Sequence, residues 1–283
     1  MNIRFLRQSA VALGLSLAAL APFSAQAHRS WLLPSATVLS GTEPWVTVDA
    51  AVSNDLFYFE HNAMRLDGLV ITAPDGSALK PENSSTGRYR SSFDVKLAQP
   101  GTYRLAVAMD GMFASFKLKG EQKRIRGTAE SLAKEIPEGA EELNVSRSQT
   151  RTEVFVTAGK PSKETIKPSG SGLELLPITH PNDLYAGEAA QFQFLIDGKP
   201  APNLEVAVIP GGIRYRDKLN EMKITTDAEG KFSVKWPEPG MYWLNASVGG
   251  GRPDEAGAQV ARGTLDKPQR RLGYAVTLEV QKP

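Results

Sequence analysis

A repeat constrains the fold of this chain more than any other feature. Phe93, Val95, Lys96, Pro100, Gly101, Tyr103 and Leu105 recur as Phe232, Val234, Lys235, Pro239, Gly240, Tyr242 and Leu244, each 139 residues further on and without a gap. In both copies apolar side chains alternate on either side of a Pro-Gly pair. That is the period-two pattern of two half-buried strands joined by a turn. A unit written twice in one chain points to a duplicated module and hence to two domains of one kind.

The flanking text extends both copies in the same style. Phe192 and Phe194 alternate before an Asp197-Gly198 turn, Val206 and Val208 alternate after it, and Thr226-Asp227-Ala228-Glu229-Gly230 makes a further turn ahead of Phe232. In the first copy Val46, Val48 and Val52 lie on an earlier strand and Asp75-Gly76 is the turn. Short strands at this spacing predict an all-β protein of two antiparallel sandwiches. The run "DGKPAPNLEVAV" with "TTDAEGKFSVKWPEPGMYWLNAS" resembles transthyretin-like domains, seven-stranded relatives of the immunoglobulin fold. The expected order is a signal segment 1–27, an amino-terminal sandwich 28–170 and a carboxy-terminal sandwich 171–283. Within the first, 119–150 reads as an insertion: Lys119, Lys123, Arg124 and Arg126 form a basic loop, and Ala129 to Ile136 a helix stopped by Pro137. Thr152 to Thr157 alternates like one more strand, and the Pro-, Ser- and Gly-rich stretch 159–172 reads as a linker or hinge.

The start of the chain predicts export. Arg4 and Arg7 precede an apolar run, Ala10 to Leu20, that is too short to span a bilayer, and Ala25 and Ala27 occupy the small-residue positions of a signal-peptidase site. Cleavage there yields a periplasmic protein, not itself membrane-spanning, that begins at His28. The whole sequence has 33 Lys plus Arg and 31 Asp plus Glu, and removing Arg4 and Arg7 balances the two. A balanced surface argues against nucleic acid as a partner. No cysteine is present, which excludes disulfides, thiolate metal sites and a Cys nucleophile.

The candidate chemistry lies in three histidines. His28 as first residue would offer an α-amine beside its imidazole, a two-nitrogen chelate, and burial of Trp31, Leu32 and Leu33 just after it would pin that end. His61 closes an aromatic stretch, Asn54 to Asn62, read as a strand with Phe57, Phe59 and His61 on one face. His180 lies in a proline-bracketed loop followed by Asn182 and Asp183. Together they predict a nitrogen-rich metal site of His28, His61 and His180, with Asp55, Glu60 and Asp183 as oxygen ligands or ring-orienting acceptors. The sequence shows neither a Gly-x-Ser-x-Gly elbow nor a zinc-protease His pair, and Gly211-Gly212 and Gly249-Gly250-Gly251 read as flexible turns.

The segments "HRSWLLPS", "DAAVSNDLFYFEHNAM" and "LELLPITHPNDLYAGEAAQFQFLIDGKPAPNLEVAVIPGGIRYR" make the chain resemble a bacterial periplasmic family of cobalt or nickel transport components, the soluble nickel-uptake substrate-specific type. The resemblance spans essentially the whole mature chain. It implies metal acquisition beside inner- or outer-membrane transport proteins, with nickel or cobalt, or their chelates, as cargo. The same donors also suit copper, zinc or iron. Two other readings follow from the residues: a metal-free periplasmic adaptor, and a copper oxidase built on an amino-terminal histidine and a second histidine.

Overall fold

A computed structural model describes residues 28–249 and 262–283. The expected signal segment, and Gly250 and Gly251 of the glycine run, lie outside these residues. The chain passes through β1 (Arg29–Pro34), β2 (Val38–Leu39), β3 (Trp45–Ser53), β4 (Asn62–Ala63), β5 (Leu69–Thr72), β6 (Ala78–Leu79), β7 (Glu82–Thr86), β8 (Ser91–Lys96), β9 (Gly101–Leu118), β10 (Glu121–Gly127), helix α1 (Ala129–Glu135) and β11 (Glu141–Ala158). It continues through β12 (Leu173–Pro177), β13 (Ala189–Ile196), β14 (Lys199–Pro200), β15 (Glu205–Pro210), β16 (Met222–Thr225), β17 (Lys231–Lys235), β18 (Gly240–Val248) and β19 (Gln269–Val280). The fold is all-β and immunoglobulin-like. One small sheet runs β1-β3-β8-β7 with β4 beside β3, and another runs β12-β13-β14 with β17 beside β13. The third sheet has ten strands, with β16-β15-β18-β19-β11-β9-β5-β6 as its spine.

The repeat marks where the chain crosses from one sheet to the other. β8 and β17 each belong to a small sheet, and β9 and β18, beyond the Pro-Gly pair, belong to the large one. At the crossing Gly101 has φ 130° and Gly240 φ 140°, where a side chain would strain the backbone. The repeated tyrosine closes the corner. Tyr103 donates its hydroxyl proton to the Gln99 carbonyl at 2.9 Å and accepts the Gln99 N–H at 2.8 Å, and Tyr242 donates to the Glu238 carbonyl at 2.8 Å. This hydroxyl bond to backbone a few residues upstream is the tyrosine corner of immunoglobulin-like folds.

The two halves are joined by more than a linker. β11 and β19 pair in parallel from Ser146 and Gln269 to Val154 and Thr277, so the large sheet belongs to both. β11 is buried at every position from Thr152 to Ala158. Val154, Val156 and Ala158 enter one core with Phe93, Tyr103 and Leu105, while Phe155 enters the other with Phe192, Trp236 and Tyr274. Neighbouring residues of a strand point to opposite faces, so the small sheets cover opposite faces of the shared one. The run Val154-Phe155-Val156 is apolar without alternation for the same reason.

Two expectations change. The basic loop is the strand β10, paired with β9 from Glu121 and Leu118 to Gly127 and Met112. Charged side chains along this edge discourage pairing with another chain. The stretch 159–172 is no hinge: Thr165 and Ile166 are buried, and Ser162 accepts the Thr102 N–H at its hydroxyl while its own N–H reaches the Thr102 hydroxyl. Its far end is held by the buried Glu174 carboxylate, which accepts the N–H groups of Ser169 at 2.8 Å and Gly170 at 2.7 Å. Burial alone would raise that carboxyl, but these bonds and Arg151 outweigh it and hold Glu174 below the usual carboxylate range. Helix α1 forms as expected, capped by the Thr128 side chain on the Ser131 N–H.

Because β11 supplies both cores, Phe155→Ala should destabilise the protein by about 3–5 kcal/mol. Unfolding in denaturant should stay a single transition that coincides by far-ultraviolet circular dichroism and tryptophan fluorescence. Two separated transitions would show that the halves fold independently.

Candidate functional site

β1 is the outer strand of its small sheet, and the second half of the chain covers it. The Trp243 indole donates to the Ser30 carbonyl at 2.9 Å, and the Ser30 and Thr152 hydroxyls share a hydrogen bond of 3.1 Å. Trp31 is fully buried with Ala51, Leu56, Ile209, Trp243 and Ala275, and its indole donates to the Ser53 hydroxyl at 2.8 Å. The apolar residues after His28 therefore fix the start of β1. His28 itself, immediately before the strand, is exposed.

The stretch from Asn54 to Glu60 is a compact loop rather than a strand. Phe57 takes φ 62°, and one Glu60 carboxylate oxygen accepts the N–H groups of both Asn54 and Asp55, closing the turn. Phe57 and Phe59 do share a side, as the spacing suggested: each ring packs on Trp31 with centroids 5.5 Å apart. Gly211 lets the opposing loop approach, since a Cβ there would lie 3.0 Å from the Phe57 ring and 3.1 Å from the Met241 carbonyl. The Gly211-Gly212 pair is thus a packing position rather than a merely flexible turn.

This loop delivers His61 to His28. The two imidazoles lie face to face, with centroids 3.7 Å apart and planes 9° from parallel. Two nitrogens bound to one ion at about 2.0–2.1 Å can be at most about 4 Å apart, and the ring spacing meets that limit. The lone pair of each imidazole nitrogen lies in its ring plane, so the stacked rings hold the two side chains close, and joint ligation of one ion requires a ring to turn out of parallel.

The expected acids are placed otherwise. Asp55 faces Arg214 at 3.8 Å, and the Arg214 guanidinium covers the Tyr58 ring at 4.0 Å from its centroid. Among the described residues no group of three or more His, Cys, Asp and Glu has metal-binding spacing. Sequence reasoning missed Arg29, whose guanidinium donates to the Asn54 carbonyl at 2.6 Å, and Arg214. Arg29 directly follows His28 in sequence, whereas Arg214 reaches the site from a segment whose proximity only the fold defines.

His180 does not join the pair. Its Nε2 lies 3.0 Å from the Thr102 hydroxyl and 3.2 Å from the Ser162 carbonyl, and its Nδ1 accepts the Asn182 N–H at 3.2 Å. An Nδ1 that accepts leaves the proton on Nε2, so the neutral ring donates there. Hydroxyls continue the chain from Thr102 to Thr157 and on to the Asn182 amide oxygen. This network contacts β11 at Thr157, five residues beyond the Thr152 that touches Ser30, about 17 Å along the strand at 3.3 Å per residue. Both His180 nitrogens serve the fold, tying 159–172 to the second half. Asp183, exposed, shares this remote loop.

The chain belongs to the DUF4198 family, a domain of unknown function, matched over residues 25–250. No curated protein matches. Among solved structures it is similar to the D0-D1 domain of intimin at 14% identity, covering 88% of this chain and 97% of that one with a TM-score of 0.21. It is also similar to a fragment of the ICAM-5 ectodomain, D1-D4, at 9% identity, 90% and 51% coverage and a TM-score of 0.21. A Salmonella alpha-2-macroglobulin mutant matches at 16% identity, 88% and 14% coverage and a TM-score of 0.18. No helix among the described residues is long and apolar enough to cross a membrane.

Burial lowers the basicity of His180, with the Ser162 carbonyl only partly opposing it. The unfolded chain therefore binds more protons than the folded one below the ordinary histidine value near 6.5. Stability is full above that pH and should fall as pH drops from about 6.5 towards the lowered folded value. Urea midpoints at pH 7.5 and 5.5 should differ less in His180→Gln than in the parent protein.

Proposed function

We propose that this is a periplasmic protein that binds a divalent transition metal, of the nickel or cobalt kind, and serves its uptake with membrane transport proteins. The observation that carries the reading is the cofacial contact of His28 and His61. Removal of the segment before His28 converts its amide nitrogen to an amine, so His28 supplies two nitrogens and His61 a third. An all-nitrogen set favours later first-row metals over calcium and magnesium. His180 and Asp183 lie in a loop remote from the pair and Asp55 faces Arg214, so this reading does not assign them to the set. The resemblance to nickel- and cobalt-uptake proteins supports the cargo, and binding rather than catalysis is the role.

The test is metal titration by calorimetry on protein whose first residue is His28. One extra amino-terminal Gly, and separately His61→Ala, should each weaken nickel or cobalt binding by about tenfold or more, while His180→Gln leaves it unchanged. Equal affinity with and without the extra Gly would remove the amine from the site. No tight binding of any transition metal would favour a metal-free adaptor, and copper-dependent turnover with a reductant would favour an oxidase.

A further inference from the structure

β9, β11 and β19 continue beyond β1, and the face of the large sheet that carries Thr152 continues with them. By register, Thr150 lies beside Met109 and Gly273, Ser148 beside Gly111 and Arg271, and Ser146 beside Phe113. This floor is open: Met109 and Phe113 are 39% and 40% exposed. Its near end is the histidine pair. The Ser30 contact with Thr152 places His28, two residues earlier, near the level of Thr150, so the Gly111-Ser148 row is about 7 Å further on.

Two arginines flank that row. The Arg126 side chain lies over Gly111, where a Cβ would be 3.5 Å from its Nε, and its guanidinium lies 5.5 Å from the Phe113 ring centroid. Arg271 stands on the other side, level with Ser148. Among the described residues neither has a carboxylate within 4.0 Å, whereas the nearby Arg147 pairs with Asp110 and Arg270 with Asp197. Cations without a carboxylate partner among the described residues oppose the binding of a bare dication beside them. They favour a metal that arrives with net negative charge, because a planar guanidinium meets carboxylates with paired hydrogen bonds.

We propose that this face receives the metal as an anionic, carboxylate-rich chelate, with the ion at the His28-His61 end and chelate carboxylates on Arg126 and Arg271. The inference rests on the metal-binding reading above. Its test compares nickel chloride with nickel citrate, by calorimetry, on protein beginning at His28 and on the double variant Arg126→Gln, Arg271→Gln. Both arginines are exposed, and circular dichroism checks that the variant folds. The double variant should bind nickel citrate about tenfold or more weakly and bind nickel chloride at least as tightly as the parent does, and added salt should weaken only the citrate complex. Unchanged nickel citrate binding would overturn the proposal, as would metal-free citrate binding as tightly as its nickel complex. If His61→Ala abolishes nickel chloride binding while the double variant behaves as the parent, the metal site stands and the chelate face falls. If neither nickel form binds the parent, both fall.

Discussion

The parallel pairing of β11 with β19 is the constraint on which the rest of the molecule depends. It joins two sandwiches into one continuous sheet and sets β11 between two cores, with Val154 and Val156 facing one and Phe155 the other. It also turns the second half so that Trp243, Ile209 and Ala275 cover the outer edge of β1. An uncovered edge strand would expose its unpaired backbone groups. Here the edge is buried, and the residue just before it is held in a defined place.

Polar groups at the seam are arranged so that little is left unmatched. Glu153, fully buried on the Phe155 side of β11, accepts from Arg104 Nε at 2.8 Å and from the Tyr274 hydroxyl at 2.7 Å. Tyr274 is pushed well above its ordinary value, first by burial and then by the Glu153 charge, so it stays a neutral donor. Charge is balanced across the cluster of Arg104, Arg151, Glu153 and Glu174. Removal of one member would leave a buried charge without its partner, the costly case for an ion pair of this kind. Together with the His180 chain of hydroxyls, this cluster fixes the relation of the halves at both ends of 159–172.

Local patterns were legible in the sequence, and long-range pairings were not. The repeat around Tyr103 and Tyr242 announced two sandwiches, because a tyrosine corner is encoded within a dozen residues. The pinning of β1 by Trp31 was legible for the same reason. By contrast, Val154-Phe155-Val156 has no alternation to show that two cores meet on it, and nothing local tells a linker from a segment tied by Glu174. His61 was legible as a candidate but not its loop, since Phe57 in a left-handed conformation breaks a strand-like text. His180 has the sequence surroundings of a functional loop residue, and only its three hydrogen-bond partners reveal a structural one.

The bond from Trp243 to the Ser30 carbonyl joins residues 213 apart in sequence. The first of the described strands is therefore seated by β18, one of the last two of them. Contacts of such separation form late, after the loop-closure entropy of almost the whole chain has been met. A chain truncated before β18 and β19 has no groove for β1, and His28 waits unplaced until those strands are made.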